Sequence, residues 1–442
     1  MNAWPRIERD LPSRLTDLAA ESRPDYLDDA FFGQMADIRQ RPSWVFPERW
    51  LPVDISTRAV PAPRLPWRQL GVLALIGILL AATLAIYIGS QQRRLPAPFG
   101  PAANGHVAYA ADGDIFVGDP GTGDAKAIIA GPEFDAGPRW SRDGTHFVFK
   151  REFHGDKAMT VQLYVAQADG SDLTLVTPEP VALTPSILGE PWSPYDFSPD
   201  GRSVLIATTV DGTPTIAIAA SDGSGIRYLD VGVSAYEPSF RPPDGSEILF
   251  VGRSVLGNHD IMAVDPATGA LRTIVEAART YDLAGATWSP DGTSISYWMW
   301  GGPAADTDLN PRNHIIAADG TRDRILPEPP DAVWNALAAW SNDGTRLVID
   351  RGYSGSTDDV RLVVIPVDGS STGIELRYDG LMGSECCPKW QWAPDDSYIL
   401  VTPTDAFGAA VQQVVIDPTT GRASEAPWAS TSDPSVQRLA QP

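Results

Sequence analysis

From residue 104 onward, short apolar runs alternate with turn signals, and the runs have the length and alternation of β-strands. An aromatic-Ser-x-Asp-Gly pattern recurs with small departures. It reads WSRDG (140–144), FSPDG (197–201), FRPPDG (240–245), WSPDG (288–292), WSNDG (340–344) and WAPDD (392–396). After each comes a β-rich run: HFVFK, SVLIAT, EILFV, SISYW, RLVID and YILVT. Each unit therefore predicts a hairpin, with Asp-Gly supplying the positive φ values of a tight turn between two half-buried strands. The motif aspartates, from Asp143 to Asp395, are spaced by 57, 44, 47, 52 and 52 residues, which gives a unit of about 50. In FRPPDG there is one residue too many, and Asp396 replaces the turn glycine, so those two hairpins are expected to bulge.

Each unit carries a second hairpin, with turns at GDPGTG (118–123), ADGS (168–171), SDGS (221–224), DPATG (265–269), ADGT (318–321), VDGS (367–370) and DPTTG (417–421). Seven second hairpins stand against six first ones. Gly105–Ala110 reads as the second strand of a unit without its opening strand, and Asp433-Pro434-Ser435-Val436 echoes Glu237-Pro238-Ser239-Phe240 at the start of another unit. The C-terminal segment is thus expected to complete the N-terminal unit, which removes an open seam. Four short strands per unit with no helices between them predict an all-β propeller over 104–442. Seven blades follow from the repeat count, or six if the partial first and last units pair differently.

The pattern changes before residue 104. From Leu70 to Ile88 run 19 residues without a charge, spanning roughly 28 Å as a helix, which predicts a single transmembrane helix over 70–88. A cleaved signal would place its apolar core much nearer the start. Arg39, Arg41, Arg49, Arg58, Arg64 and Arg68 precede the span, whereas only Arg93 and Arg94 follow it closely, so the N-terminus is expected inside and the propeller outside the cell membrane. Residues 89–103 read as a Pro-rich stalk, and 1–69 as a cytoplasmic helical and linker segment. Within that segment Leu27, Phe31, Met35 and Ile38 line one face of a predicted helix. Either a partner's groove covers this stripe or a mini-hairpin with Leu11, Leu15 and Leu18 does.

Composition sharpens the partner classes. The net charge is -22, and residues 95–442 carry 22 Lys/Arg against 46 Asp/Glu, so the body repels phosphate backbones and nucleic acid is not an expected partner. Two cysteines, the adjacent Cys386 and Cys387, rule out a disulfide framework, and a strained vicinal disulfide competes with two free thiols.

The W-S-P-D-G repeats and the L-Y-V-A-x-x-D-G-S turns resemble the TolB-type, WD-like β-propeller repeat of bacteria. That resemblance implies the fold but no single function, because the family includes envelope partners, sensors and propellers attached to peptidases. The segment 1–69 is loosely similar to anti-sigma-like membrane regulators, which implies a cytoplasmic sigma factor as a partner for the stripe, although the segment has no zinc-binding His or Cys.

No metalloprotease, P-loop, dinucleotide-binding or nucleophile-elbow motif occurs; Gly352–Ser356 comes nearest to the elbow and lacks its final glycine. His106, His146, His154, His259 and His314 are scattered one to a blade or loop. No catalytic residue, cofactor or metal site is therefore expected. The reading that results is a non-enzymatic single-pass membrane protein whose external propeller binds a protein, glycan or small ligand. Its alternatives are an extracytoplasmic propeller hydrolase or lyase and a structural envelope scaffold.

Overall fold

A computed structural model describes residues 74–79, 95–154, 159–185, 193–253, 257–278, 280–301, 311–353, 360–376, 389–403 and 412–441. The chain divides into two compact units, Met1–Gln91 and Gln92–Pro442. In the first unit residues 74–79 form a helical turn that exposes Leu75, Ile76, Ile78 and Leu79. Among the described residues no helix is long and apolar enough to cross a membrane. The rest of the 70–88 span, the stripe of Leu27, Phe31, Met35 and Ile38, and the pair Cys386 and Cys387 lie outside the described residues.

The second unit is a seven-bladed propeller. Blade 1 contains β1 (Ala103–Ala111), β2 (Asp114–Gly118) and β3 (Ala125–Ile129), and blade 2 contains β4 (Phe134–Trp140), β5 (His146–His154), β6 (Met159–Gln167) and β7 (Thr174–Leu175). Blade 3 holds β8 (Ala182–Leu183), β9 (Tyr195–Phe197), β10 (Ser203–Val210), β11 (Thr213–Ala220) and β12 (Ile226–Leu229). Blade 4 holds β13 (Ser234–Phe240), β14 (Ile248–Arg253), β15 (His259–Val264) and β16 (Leu271–Val275). Blade 5 follows with β17 (Tyr281–Trp288), β18 (Ser294–Gly301), β19 (Arg312–Ala317) and β20 (Arg324–Ile325). Blade 6 is β21 (Trp334–Trp340), β22 (Arg346–Gly352), β23 (Val360–Pro366) and β24 (Ile374–Leu376). Blade 7 is β25 (Lys389–Trp392), β26 (Ile399–Thr402), β27 (Val414–Ile416) and β28 (Ala423–Glu425).

The last strand, β29 (Ser435–Leu439), lies against β1 and gives blade 1 the order β29-β1-β2-β3, so the ring closes through the C-terminal segment as the repeat count implies. The first strands surround a central channel: β29 meets β4, β4 meets β9, β13 meets β17, β17 meets β21 and β21 meets β25.

Two local expectations are corrected. The second strand of each hairpin is buried on both faces rather than one, because every blade is covered by neighbours on both sides. Along β10, Val204 and Ile206 pack towards Val148 and Leu163 of blade 2, while Leu205 packs towards Ile248 and Phe250 of blade 4. Nor does the hairpin bearing Asp396 bulge at its turn. Asp396 takes φ 60 in the place of the glycine, and its amide donates to Ala393 O as the Gly144 amide donates to Ser141 O. Aspartate is among the few residues that tolerate this left-handed geometry. The extra residue of FRPPDG does widen its turn, where Gly245 N donates to Arg241 O.

The longest motif spacing, 57 residues, also has a physical origin. In blade 3 the innermost position is shared by two strands, β8 and β9, which pair with different stretches of β10, so the motif of this blade follows an extra strand.

Candidate functional site: the central channel

The motif residues serve mainly as turn caps and blade fasteners. In WSRDG, Ser141 Oγ donates to Asp143 Oδ1 at 2.6 Å and the Thr145 amide donates to the same oxygen at 3.0 Å. Ser198–Asp200, Ser289–Asp291 and Ser341–Asp343 repeat the 2.6 Å contact. Burial raises the pKa of each of these carboxyls, but the serine and backbone hydrogen bonds outweigh it and hold all four below the usual aspartate range. Motif tryptophans reach back to the preceding blade. Trp340 Nε1 donates to Thr287 O at 3.3 Å and Trp392 Nε1 to Ala339 O at 3.0 Å.

Each channel-lining strand of blades 2, 4, 5 and 6 carries a β-bulge, at Ala136/Arg139, Tyr236/Ser239, Ala284/Thr287 and Ala336/Ala338. The bulged residues Gly137, Glu237, Gly285 and Leu337 all have positive φ. Glycine is required at Gly285, where an added Cβ would stand 2.4 Å from Trp298 Nε1. At the equivalent positions Glu237 (φ 52) and Leu337 (φ 40) adopt the same geometry with a side chain, at a cost of roughly 1–2 kcal/mol each. Such strain concentrates at functional sites. Both side chains line the channel, and Glu237 Oε2 accepts the Gly285 amide of the next blade at 3.1 Å.

Beside these bulges lies a cavity of about 300 Å³ walled by Phe240, Trp288, Trp340 and Trp390 together with Glu237 and Arg142. Trp288 Nε1, Trp390 Nε1 and Ser239 Oγ are buried around it and have no hydrogen-bond partner among the described residues. A second cavity, about 250 Å³, shares Arg142, Ala339, Trp340, Asn342 and Trp390 with the first. Its wall carries Arg139, Arg142 and Arg438 against Asp196 as the only acid. Arg142 reaches Asp196 at 3.1 Å, while Asp433, just before β29, accepts from both Lys389 (3.0 Å) and Arg139 (3.5 Å).

Arg438 of β29 is buried at the mouth. Its Nη1 donates to Asn342 Oδ1 at 2.9 Å, and its Nη2 donates to the carbonyls of Ala97 (3.3 Å) and Gly100. Burial pulls its pKa down to about 10, the nearby Arg142 adds to the depression, and Asp396 opposes it. Asp396 is itself engaged, accepting from the Asn342 amide (2.7 Å), Asn342 Nδ2 (2.9 Å) and the Asp343 amide (2.8 Å). The strap 97–101 therefore crosses the turn end of the channel, with the Phe99 ring 4.7 Å from the Arg142 guanidinium carbon.

Sequence reasoning singled out none of Glu237, Arg142, Asn342 and Arg438. A signal existed for two of them: the variable position of the motif is proline at Pro199, Pro290 and Pro394, whereas Arg142 and Asn342 depart from it. Of the histidines, His259 of blade 4 pairs with Asp282 of blade 5 at 3.0 Å, and His314 pairs with Asp323 within blade 5 at 3.1 Å. Among the described residues no group of three or more His, Cys, Asp or Glu is placed to hold a metal ion.

No family model matches the chain, and no curated protein matches it. Solved structures do. An oligogalacturonate lyase in complex with manganese is 15% identical over 75% of this chain and 85% of its own, with a TM-score of 0.50. Prolyl endopeptidases give 13% identity over 77% of this chain and 51% of theirs, with a TM-score of 0.52. TolB from Acinetobacter baumannii is 16% identical over 63% of this chain and 62% of its own, with a TM-score of 0.44. At these identities the likeness concerns the fold alone, a β-propeller that proteins of unrelated chemistry share.

Proposed function

We propose that this chain is a binding propeller without catalytic activity, whose channel takes a small ligand at the tryptophan-walled cavity. One observation carries the reading: beside the strained bulge residues Glu237 and Leu337 lies a cavity of about 300 Å³ walled by Phe240, Trp288, Trp340 and Trp390. Aromatic walls with a few polar groups are the usual form of a small-molecule site.

Benzamide offers an aromatic face and a carbonyl acceptor, and calorimetric titration of the full-length chain tests the reading. The wild type binds it. Trp288→Ala and Trp390→Ala each remove an aromatic wall and weaken binding roughly 2–10-fold. A wild-type chain that takes up no benzamide would sink the proposal.

The same reading places the propeller outside a membrane, anchored by 70–88 with the N-terminus inside. It rests on the uncharged 19-residue run, on the six arginines before it, and on the exposed apolar side chains of the helical turn 74–79.

A further inference from the structure

One buried cation in the channel has only neutral partners. Arg438 bonds to the Asn342 amide and to two backbone carbonyls, forms no ion pair among the described residues, and its Nε is buried with no acceptor there. Asp396 acts on it through space without direct contact, both being hydrogen-bonded to Asn342. Desolvating a guanidinium without a carboxylate is costly, and the strap carbonyls supply partial charges where an anion would supply a full one. Arg142 stands close by, and the wall of that cavity has more cations than acids in a body of strongly negative charge. A concave positive site in such a field selects small anions and excludes polyanions.

Building on the ligand-site reading above, we propose that Arg438 and Arg142 form the polar end of the channel site and take the carboxylate of a small organic monoanion. The apolar body of the ligand lies along Trp340 and Trp390, the residues common to both cavities. The two oxygens of a carboxylate match the donor fork of a guanidinium, and one charge is the limit because Asp196 and Glu237 would repel a second. The strap 97–101 holds the same guanidinium through its carbonyls and so competes with the ligand.

Calorimetric titration of the full-length chain with benzoate and with its neutral isostere benzamide tests this. The wild type binds benzoate at least tenfold more tightly than benzamide. Arg438→Gln abolishes that preference by lowering benzoate affinity at least tenfold more than benzamide affinity. Arg142→Gln, at a half-buried position that tolerates change better, reduces the preference severalfold. Phe99→Ala loosens the strap and raises benzoate affinity severalfold. Equal binding of the two probes by the wild type overturns the carboxylate assignment while the cavity reading stands, and binding of neither overturns both. A benzoate preference that survives in both arginine variants overturns the assignment to these residues.

Discussion

Asp350 of β22 has its carboxyl buried within blade 6, and burial raises its pKa to about 7, against a small opposing effect of the Asp350 and Ala336 amides. A carboxyl whose folded value lies above its unfolded one is protonated more readily in the folded chain. Stability is therefore drained progressively from the ordinary aspartate range up to about pH 7, and the loss is complete above it. Asp350→Asn should raise the melting temperature at pH 8 by several degrees and by less at pH 5, as read by circular dichroism. An equal shift at both values would show that the group ionises normally. The turn aspartates Asp143, Asp200, Asp291 and Asp343 work in the opposite direction: their lowered values add stability above the usual aspartate range that is lost as pH falls through the folded ones. Their capping role could be read from the Ser-x-Asp-Gly spacing, because the partners lie two residues away. The role of Arg438 could not, since its partners Ala97 and Gly100 stand more than 300 positions earlier in the chain.

Strand pairing was the most legible feature, because a tight turn fixes register within a hairpin and seven turns of the second kind announced seven sheets. The bulges at Glu237 and Leu337 were not legible, since neither position carries a glycine to mark a positive φ. The β29–β1 pairing was visible through the missing opening strand of the first unit and the echo of Glu237–Phe240 in Asp433–Val436. Val436 of β29 packs with Val107, Tyr109 and Trp428 across the seam between blades 1 and 7. Removing 433–442 takes away that strand, the Asp433 link to Lys389 and Arg139, and Arg438. We expect the truncated propeller to lose several kcal/mol, visible as a large drop in urea midpoint. An unchanged midpoint would mean that the ring does not depend on this closure.

The propeller is an acidic body with a local excess of cations at the mouth of its channel, so its outer surface and its interior favour different partners. Its proposed place outside the membrane is open to a direct test in cells lacking Cys386 and Cys387. A cysteine introduced beside Asp222, in an exposed turn of blade 3, should react with an impermeant thiol reagent in intact cells, while one beside Asp17 should react only after lysis. The opposite pattern would invert the topology. Circular closure also has a consequence in time. During synthesis β1 emerges more than 300 residues before β29, an interval on the order of tens of seconds at ordinary elongation rates. Throughout that interval the inner edge of β1 has its pairing groups exposed and no native strand to receive them. Blades 2 to 7 have no such delay, since each completes itself from consecutive sequence as it appears. The nascent chain must therefore shield one strand from the start of propeller synthesis to its end, and the first blade to be made is the last to be finished.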